Sequence, residues 1–260
     1  MTIEDPWLRL RRFTPARVAL GRVGSALPTQ EVLRFALAHA QARDAVHIPL
    51  DAAQLDADLR QAGFETLRVE SAAPDRGTYL ARPDLGRRLS QASRAGLVGV
   101  GWAKADLAVV VADGLSSPAA ASHAVPLLAA LAPRLQALGL ALGPVVVATQ
   151  ARVALGDEIA SLLGAPAVLV LLGERPGLSA PDSLGAYLTY APQVGRSDAE
   201  RNCVSNIRGG GLPYDLAAFK LAWLIDQALT RRLSGVALKD ESDAVLMSRH
   251  EPGPALGSAG

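Results

Sequence analysis

At 260 residues, with 50% hydrophobic but only 4% aromatic composition, the chain can bury a full-sized core filled by Ala, Leu and Val. Its 26 basic and 25 acidic residues leave a net charge of +1, which argues against a nucleic-acid binder, since that needs a concentrated basic face. Cys203 is the only cysteine, so an intrachain disulfide and a structural cysteine-rich zinc site are excluded, which fits a reducing cytoplasm. No stretch reaches the ~20 apolar residues of a membrane span, and Glu4 and Asp5 precede any signal-peptide core, so a soluble intracellular protein is expected. A mean hydropathy of +0.20 then implies apolar surface that meets another subunit, or else a large Ala-rich helical core.

In chain order, Asp5 and Pro6 open a short helix with apolar contacts from Trp7, Leu8, Leu10 and Phe13, stopped by Pro15. Thr29 opens a long helix in which Val32, Leu33, Leu37 and Ala40 recur at three- and four-residue spacing. A second helix is expected over 52–61, ended by Gly63, and a short strand over 66–69. Arg82-Pro83-Asp84 reads as the start of another helix, with Asp84 at its positive end.

The rhythm changes after Gly99. Apolar strands are expected over 107–112, 145–148 and 167–172, alternating with helices from Ser116 or Ser117 to Leu138 and over 151–163. A helix over 214–232 closes the pattern, and 242–260, rich in Gly, Pro, Ser and Ala, reads as a tail. Buried strands alternating with amphipathic helices specify an α/β fold with a mostly parallel, Rossmann-like sheet flanked by helices, preceded by a smaller helical N-terminal region. The expected division is 1–98, 99–240 and 241–260, with the boundary near Gly96 to Gly101.

Enzyme motifs are missing. Gly99-Val100-Gly101-Trp102-Ala103-Lys104 has Lys104 where a dinucleotide fingerprint needs glycine, and there is neither a phosphate-loop lysine motif nor a Gly-x-Ser-x-Gly elbow. His39, His47, His123 and His250 are scattered without a second ligand at metal spacing. Cys203, taken alone, reads as a small buried residue. Topology leaves the strand ends: Asp113-Gly114, Thr149-Gln150-Ala151-Arg152-Val153 and Gly173-Glu174-Arg175-Pro176 border the crevice where open α/β sheets bind ligands. Asp113 and Glu174 stand at one edge, and taken alone each reads more readily as a helix cap or a surface ion pair.

Several blocks point further. They include Arg17-Val18-Ala19-Leu20-Gly21-Arg22, Arg82-Pro83-Asp84-Leu85-Gly86-Arg87-Arg88-Leu89 and Arg152-Val153-Ala154-Leu155-Gly156-Asp157-Glu158. Gly173-Glu174-Arg175-Pro176-Gly177-Leu178, Tyr187-Leu188-Thr189-Tyr190-Ala191-Pro192 and Arg201-Asn202-Cys203-Val204-Ser205-Asn206-Ile207-Arg208 follow in order. The set resembles the small subunit of ethanolamine ammonia-lyase over most of 17–240. The resemblance implies an adenosylcobalamin enzyme that converts ethanolamine to acetaldehyde and ammonia by a radical route. It also implies a hetero-oligomer in which a TIM-barrel large subunit holds substrate and the small subunit closes over the cobalamin, inactive alone. By motif, the cofactor contacts fall on Val153, Glu174 and Cys203, with Arg152, Arg175 and Asn206 as neighbours. No histidine stands in an Asp-x-His-x-x-Gly pattern, so the cofactor is expected to keep its own lower base. The location implied is cytoplasmic, in many bacteria within a protein-shelled microcompartment, although the segment before Arg17 is shorter than the targeting extension of some relatives. The competing readings are an independent α/β enzyme for a nucleotide-like ligand and a non-catalytic scaffold.

Overall fold

A computed structural model describes residues 6–14, 16–100 and 105–249. The cap at Asp5, the stop at Pro15, residues 101–104 of the Gly99–Lys104 comparison and the end of the tail from His250 lie outside the described residues. One six-stranded sheet runs in the order β1-β3-β2-β4-β5-β6. The strands are β1 (Thr66–Glu70), β2 (Leu107–Ala112), β3 (Leu142–Thr149), β4 (Ala167–Gly173), β5 (Leu184–Tyr190) and β6 (Arg201–Ile207). The first four are mutually parallel, whereas β5 pairs antiparallel with both β4 and β6. The mostly parallel α/β sheet flanked by helices is therefore present.

Its two faces follow from strand alternation. Leu107, Val109 and Val111 of β2, with Leu169 and Leu171 of β4, face one layer built by α2 (Ala52–Gln61), α5 (Ser117–Ala137) and α7 (Tyr214–Arg231). Ala108, Val110 and Ala112, with Val168 and Val170, face the other, built by α4 (Gln91–Leu97) and α6 (Leu155–Leu163). Burial on both faces is why these strands read as unbroken apolar runs. In α5, Leu127, Leu128, Leu131 and Leu135 are fully buried, each contributing about 1.5–3 kcal/mol. Ala217, Ala218 and Ala222 of α7 let that helix pack against the same core. Asp51 caps α2 by accepting from the Gln54 N–H at 2.9 Å, and Ser116 caps α5 through the Ala119 N–H at 3.3 Å.

The α5 connection carries the chain from β2 to β3 across one face, and α6 returns it from β3 to β4 across the other. The strand order reverses at β2, so the ligand edge lies beyond the carboxyl ends of β2, β3 and β4.

Several local expectations change. The segment Pro6–Arg12 is a 3-10 helix, and Trp7, Leu8, Leu10 and Phe13 are exposed. The helix expected from Arg82 instead ends before it: α3 (Arg76–Ala81) is capped by Asp75, whose carboxylate accepts from the Thr78 N–H at 2.8 Å. Pro83 disfavours helix at the residue before it, and Arg82 turns to pair with Asp84 at 2.8 Å. The two strands β5 and β6 were not expected, although Leu184-Gly185-Ala186-Tyr187-Leu188-Thr189-Tyr190 carries the aromatic and β-branched residues strands favour. β1 pairs with β3, placing Thr66 opposite Val145, so the N-terminal region contributes an edge strand. Within the stretch read as a tail, α8 (Ser242–Arg249) is helical. Lys220 of α7 anchors its start, 2.6 Å from Asp243 and 3.4 Å from Asp240.

Candidate functional site

Asp113 follows the apolar strand β2 and is 1% exposed. Its carboxylate accepts from the Gln150 and Ala151 N–H groups, both at 2.9 Å, and from Arg76 Nη1 at 3.0 Å. Burial pushes its carboxyl upward, against the Ala151 amide, the Arg76 charge and the Gln150 amide. Asp113 is thus a bracket for the turn after β3, and it faces protein. Because that turn is held away from helical geometry, with Gln150 at φ 55°, α6 begins at Leu155 and Arg152 and Val153 stand on a loop.

The same loop is fixed from the N-terminal region. The fully buried Tyr79 donates its hydroxyl to the Ala151 carbonyl at 3.0 Å, and Arg152 N–H donates to the Gly86 carbonyl at 2.8 Å. The guanidiniums of Arg76 and Arg152 lie 4.9 and 4.4 Å from the Tyr79 ring centre, within cation–π range. Gly86 has to be glycine, since a Cβ there would stand 2.8 Å from the Tyr79 ring and 3.1 Å from Arg152 Cγ.

Beyond this loop, β5 and β6 extend the sheet past α6, and Tyr187 and Asn206 from them line part of an open crevice. One part, of about 670 Å3, is lined by Val153, Arg87, Arg88, Val194 and Arg196 among others. The adjoining part, of about 760 Å3, is lined by Glu174, Arg175, Ser183, Tyr187 and Asn206. Arg152, Leu172 and Asp198 border both, which makes the two parts continuous.

Glu174 is half-buried and fully oriented. Its backbone N–H donates to the Ser183 carbonyl at 2.9 Å. Its Oε2 accepts from Ser183 Oγ at 2.5 Å and from the Asn206 N–H at 3.2 Å. Oε1 accepts no hydrogen bond among the described residues, and the ion pair with Arg175 that its sequence position allowed does not form. Gly185 makes room for it, because a Cβ there would sit 2.9 Å from Oε1.

Cys203 lies opposite Tyr187 in the β5–β6 ladder and is exposed, contrary to its reading as a buried residue. Crowding by its neighbours pushes the thiol upward, with the Tyr187 hydrogen bond opposing and the Glu174 charge reinforcing the shift. Desolvation likewise raises the Tyr187 hydroxyl, helped by Cys203 and Glu174. Both groups are therefore protonated at neutral pH, suited to packing and hydrogen bonding. Val153 and Glu174 thus line one crevice with Arg152, Arg175 and Asn206, whereas Cys203 is not among its lining residues and stands beside it, opposite Tyr187. Sequence reasoning passed over Tyr79, Tyr187 and Ser183, although Tyr79 and Tyr187 are two of only four tyrosines in the chain.

Beneath the crevice, Arg201 at the start of β6 clamps Asp157 in the first turn of α6, through bonds of 2.7 and 2.6 Å. Burial pushes the Asp157 carboxyl upward, and the Arg201 hydrogen bonds and charge oppose it. This pair ties the segment carrying Val153 to the strand carrying Cys203.

Fold and crevice together define a doubly wound α/β protein with an open ligand trough at the carboxyl ends of its central strands. The chain belongs to the ethanolamine ammonia-lyase light chain family (EutC), whose model matches residues 4–239. Proteins named ethanolamine ammonia-lyase small subunit are similar to it across nearly their full length. That of Azotobacter vinelandii is 54% identical over 256 residues, covering 96% of this chain and 94% of the relative. That of Rhodopseudomonas palustris is 58% identical over 233 residues, covering 90% and 89%.

Proposed function

We propose that the chain is the small subunit of an adenosylcobalamin-dependent ethanolamine ammonia-lyase. In this reading it holds the cobalamin against a large subunit that binds and converts the substrate. The observation that carries the reading is convergence: Val153 and Glu174 come from separate sequence blocks and line one trough, and Cys203 of a third block lies against its lining residue Tyr187. Cobalamin is a broad, flat corrin rimmed by primary amides and bearing one phosphodiester, so it needs an open trough with acceptors, apolar contacts and a cation. Glu174 Oε1 is an oriented acceptor for an amide N–H, Val153 and Leu172 offer apolar surface, and Arg152 has a buried Nε without a hydrogen-bond partner. When bound, adenosylcobalamin supplies the radical chemistry through homolysis of its cobalt–carbon bond. This chain's residues orient the cofactor, and the neutral Cys203 and Tyr187 present weak hydrogen-bonding groups to it.

A partner subunit is supported by the apolar residues left in solvent near the N-terminus. Phe13 is 85% exposed, and Leu33 and Leu37 of α1 (Thr29–His47) are 64% and 59% exposed, beside Leu27 and Val32. The helix buries only Ala38 and Ala45 within this chain. We place the complex in the cytoplasm; among the described residues no helix is long and apolar enough to cross a membrane.

The test is adenosylcobalamin titration of the complex with the large subunit, for wild type and Glu174→Gln. Loss of a charged acceptor should weaken binding by ~1.5–3 kcal/mol, about tenfold to a hundredfold. Melting and assembly should be retained, since the amide keeps the side chain's shape. Unchanged affinity would remove Glu174 from the cofactor site, and ammonia release by the isolated chain would refute the division of labour.

A further inference from the structure

Among the described charged groups bordering the trough, Asp84, Arg196 and Asp198 are engaged in ion pairs, while Arg87, Arg88, Arg152 and Arg175 are not. Arg82 pairs with Asp84, Arg196 pairs with Glu200, and Asp198 stands 3.7 Å from Arg201 Nε. Arg152 differs. Its guanidinium lies over the Tyr79 ring, its Nε is buried without a hydrogen-bond partner, and no described carboxylate comes within 4.0 Å of it. It borders both parts of the trough, and Arg87 and Arg88, also without an ion pair at that distance, line the same wall. Three cations therefore face one cavity, the central one stacked in place and partly stripped of water. A guanidinium in that state is stabilised by an anion that accepts two parallel hydrogen bonds from its fork.

We infer that Arg152, flanked by Arg87 and Arg88, is a phosphate-ester subsite that receives the phosphodiester of the cobalamin nucleotide loop. This rests on the cobalamin reading above and adds the direction in which the cofactor lies: nucleotide loop toward Val153 and Arg152, corrin amides toward Glu174. Amides bear no charge, so within the intact cofactor the phosphodiester is the group whose charge matches this wall. Tyr79 is a positioning residue, holding Arg152 by stacking and its loop through the Ala151 carbonyl.

The experiment uses the purified complex with the large subunit and two probes, adenosylcobinamide and adenosylcobinamide phosphate, which differ only in the phosphate ester. Wild type should bind the phosphate form about tenfold to a hundredfold more tightly. Arg152→Met keeps an apolar stem over Tyr79, and it should abolish that preference by weakening the phosphate form far more than adenosylcobinamide. Should that variant fail to assemble, Arg87→Met/Arg88→Met on the exposed wall should reduce the preference at least about threefold, and more at low salt than at high salt. Absence of a preference in wild type, its survival in the variants, or equal weakening of both probes would overturn the subsite. Failure of the wild-type complex to bind intact adenosylcobalamin, titrated alongside the probes, would overturn the cobalamin reading itself, which separates the two failures.

Discussion

Replacing Asp157 with alanine is the sharpest test of how the crevice is held together. The Asp157 and Arg201 side chains are 1% and 2% exposed, and the guanidinium makes two short bonds to the carboxylate. Arg201 Nη1 also donates to Thr189 Oγ1 at 2.8 Å and Nη2 to the Arg196 carbonyl at 3.0 Å. These neutral acceptors remain after Asp157→Ala, but they do not cancel the charge, and Asp198 at 3.7 Å is 99% exposed and screened by water. Stranding a buried cation costs about 3–5 kcal/mol. For a chain of this size that corresponds to a melting-point drop of roughly 6–20 °C, at about 2–4 °C per kcal/mol. Thermal melts of wild type, Asp157→Leu, Arg201→Met and the double variant Asp157→Leu/Arg201→Met form a cycle, with Asp157→Ala measured beside it. The double variant should recover most of the loss, because an apolar pair of similar volume satisfies the same space. A single-variant drop below about 3 °C, or a double variant as unstable as the two single losses combined, would refute the argument that the pair acts as one buried unit.

Gly173→Ala should cost at least about 1–3 kcal/mol and weaken cofactor binding in the same protein, because a Cβ there overlaps the Ser116 and Asp113 carbonyls; a melt and a titration check it. Glu200 is depressed from its ordinary 4.5 to about 2 by the Ser197 N–H, the Arg196 hydrogen bond and the Ser197 hydroxyl. Its contribution to stability is therefore complete above pH 4.5 and is lost as pH falls through about 2, so the stability gap between wild type and Glu200→Gln should close on acidification. On α1, Leu33→Glu should leave the chain's own melting within about 0.5 kcal/mol of wild type yet weaken assembly with the large subunit, measured by size-exclusion chromatography.

What local pattern determines, the sequence already showed. Apolar runs bounded by Gly and Asp specify β2 and β4, since a strand buried on both faces tolerates little else, and Asp51 and Ser116 mark helix starts because their oxygens reach the first free amides. The blocks around Val153, Glu174 and Cys203 were also legible one by one. Only the tertiary structure decided what each residue does. Asp113 and Glu174 look alike in sequence, an acid after an apolar strand beside glycine. β3 lies next to β2, so its turn delivers two amides and Arg76 closes over Asp113; Glu174 meets the start of β5, where Ser183 and the Asn206 N–H hold one oxygen and leave the other without a hydrogen bond among the described residues. Cys203 is exposed because β6 is an edge strand lying past the reach of α6. Strand order and the partners it brings are long-range properties, set by how two layers of helices share one sheet, and no window of sequence contains them.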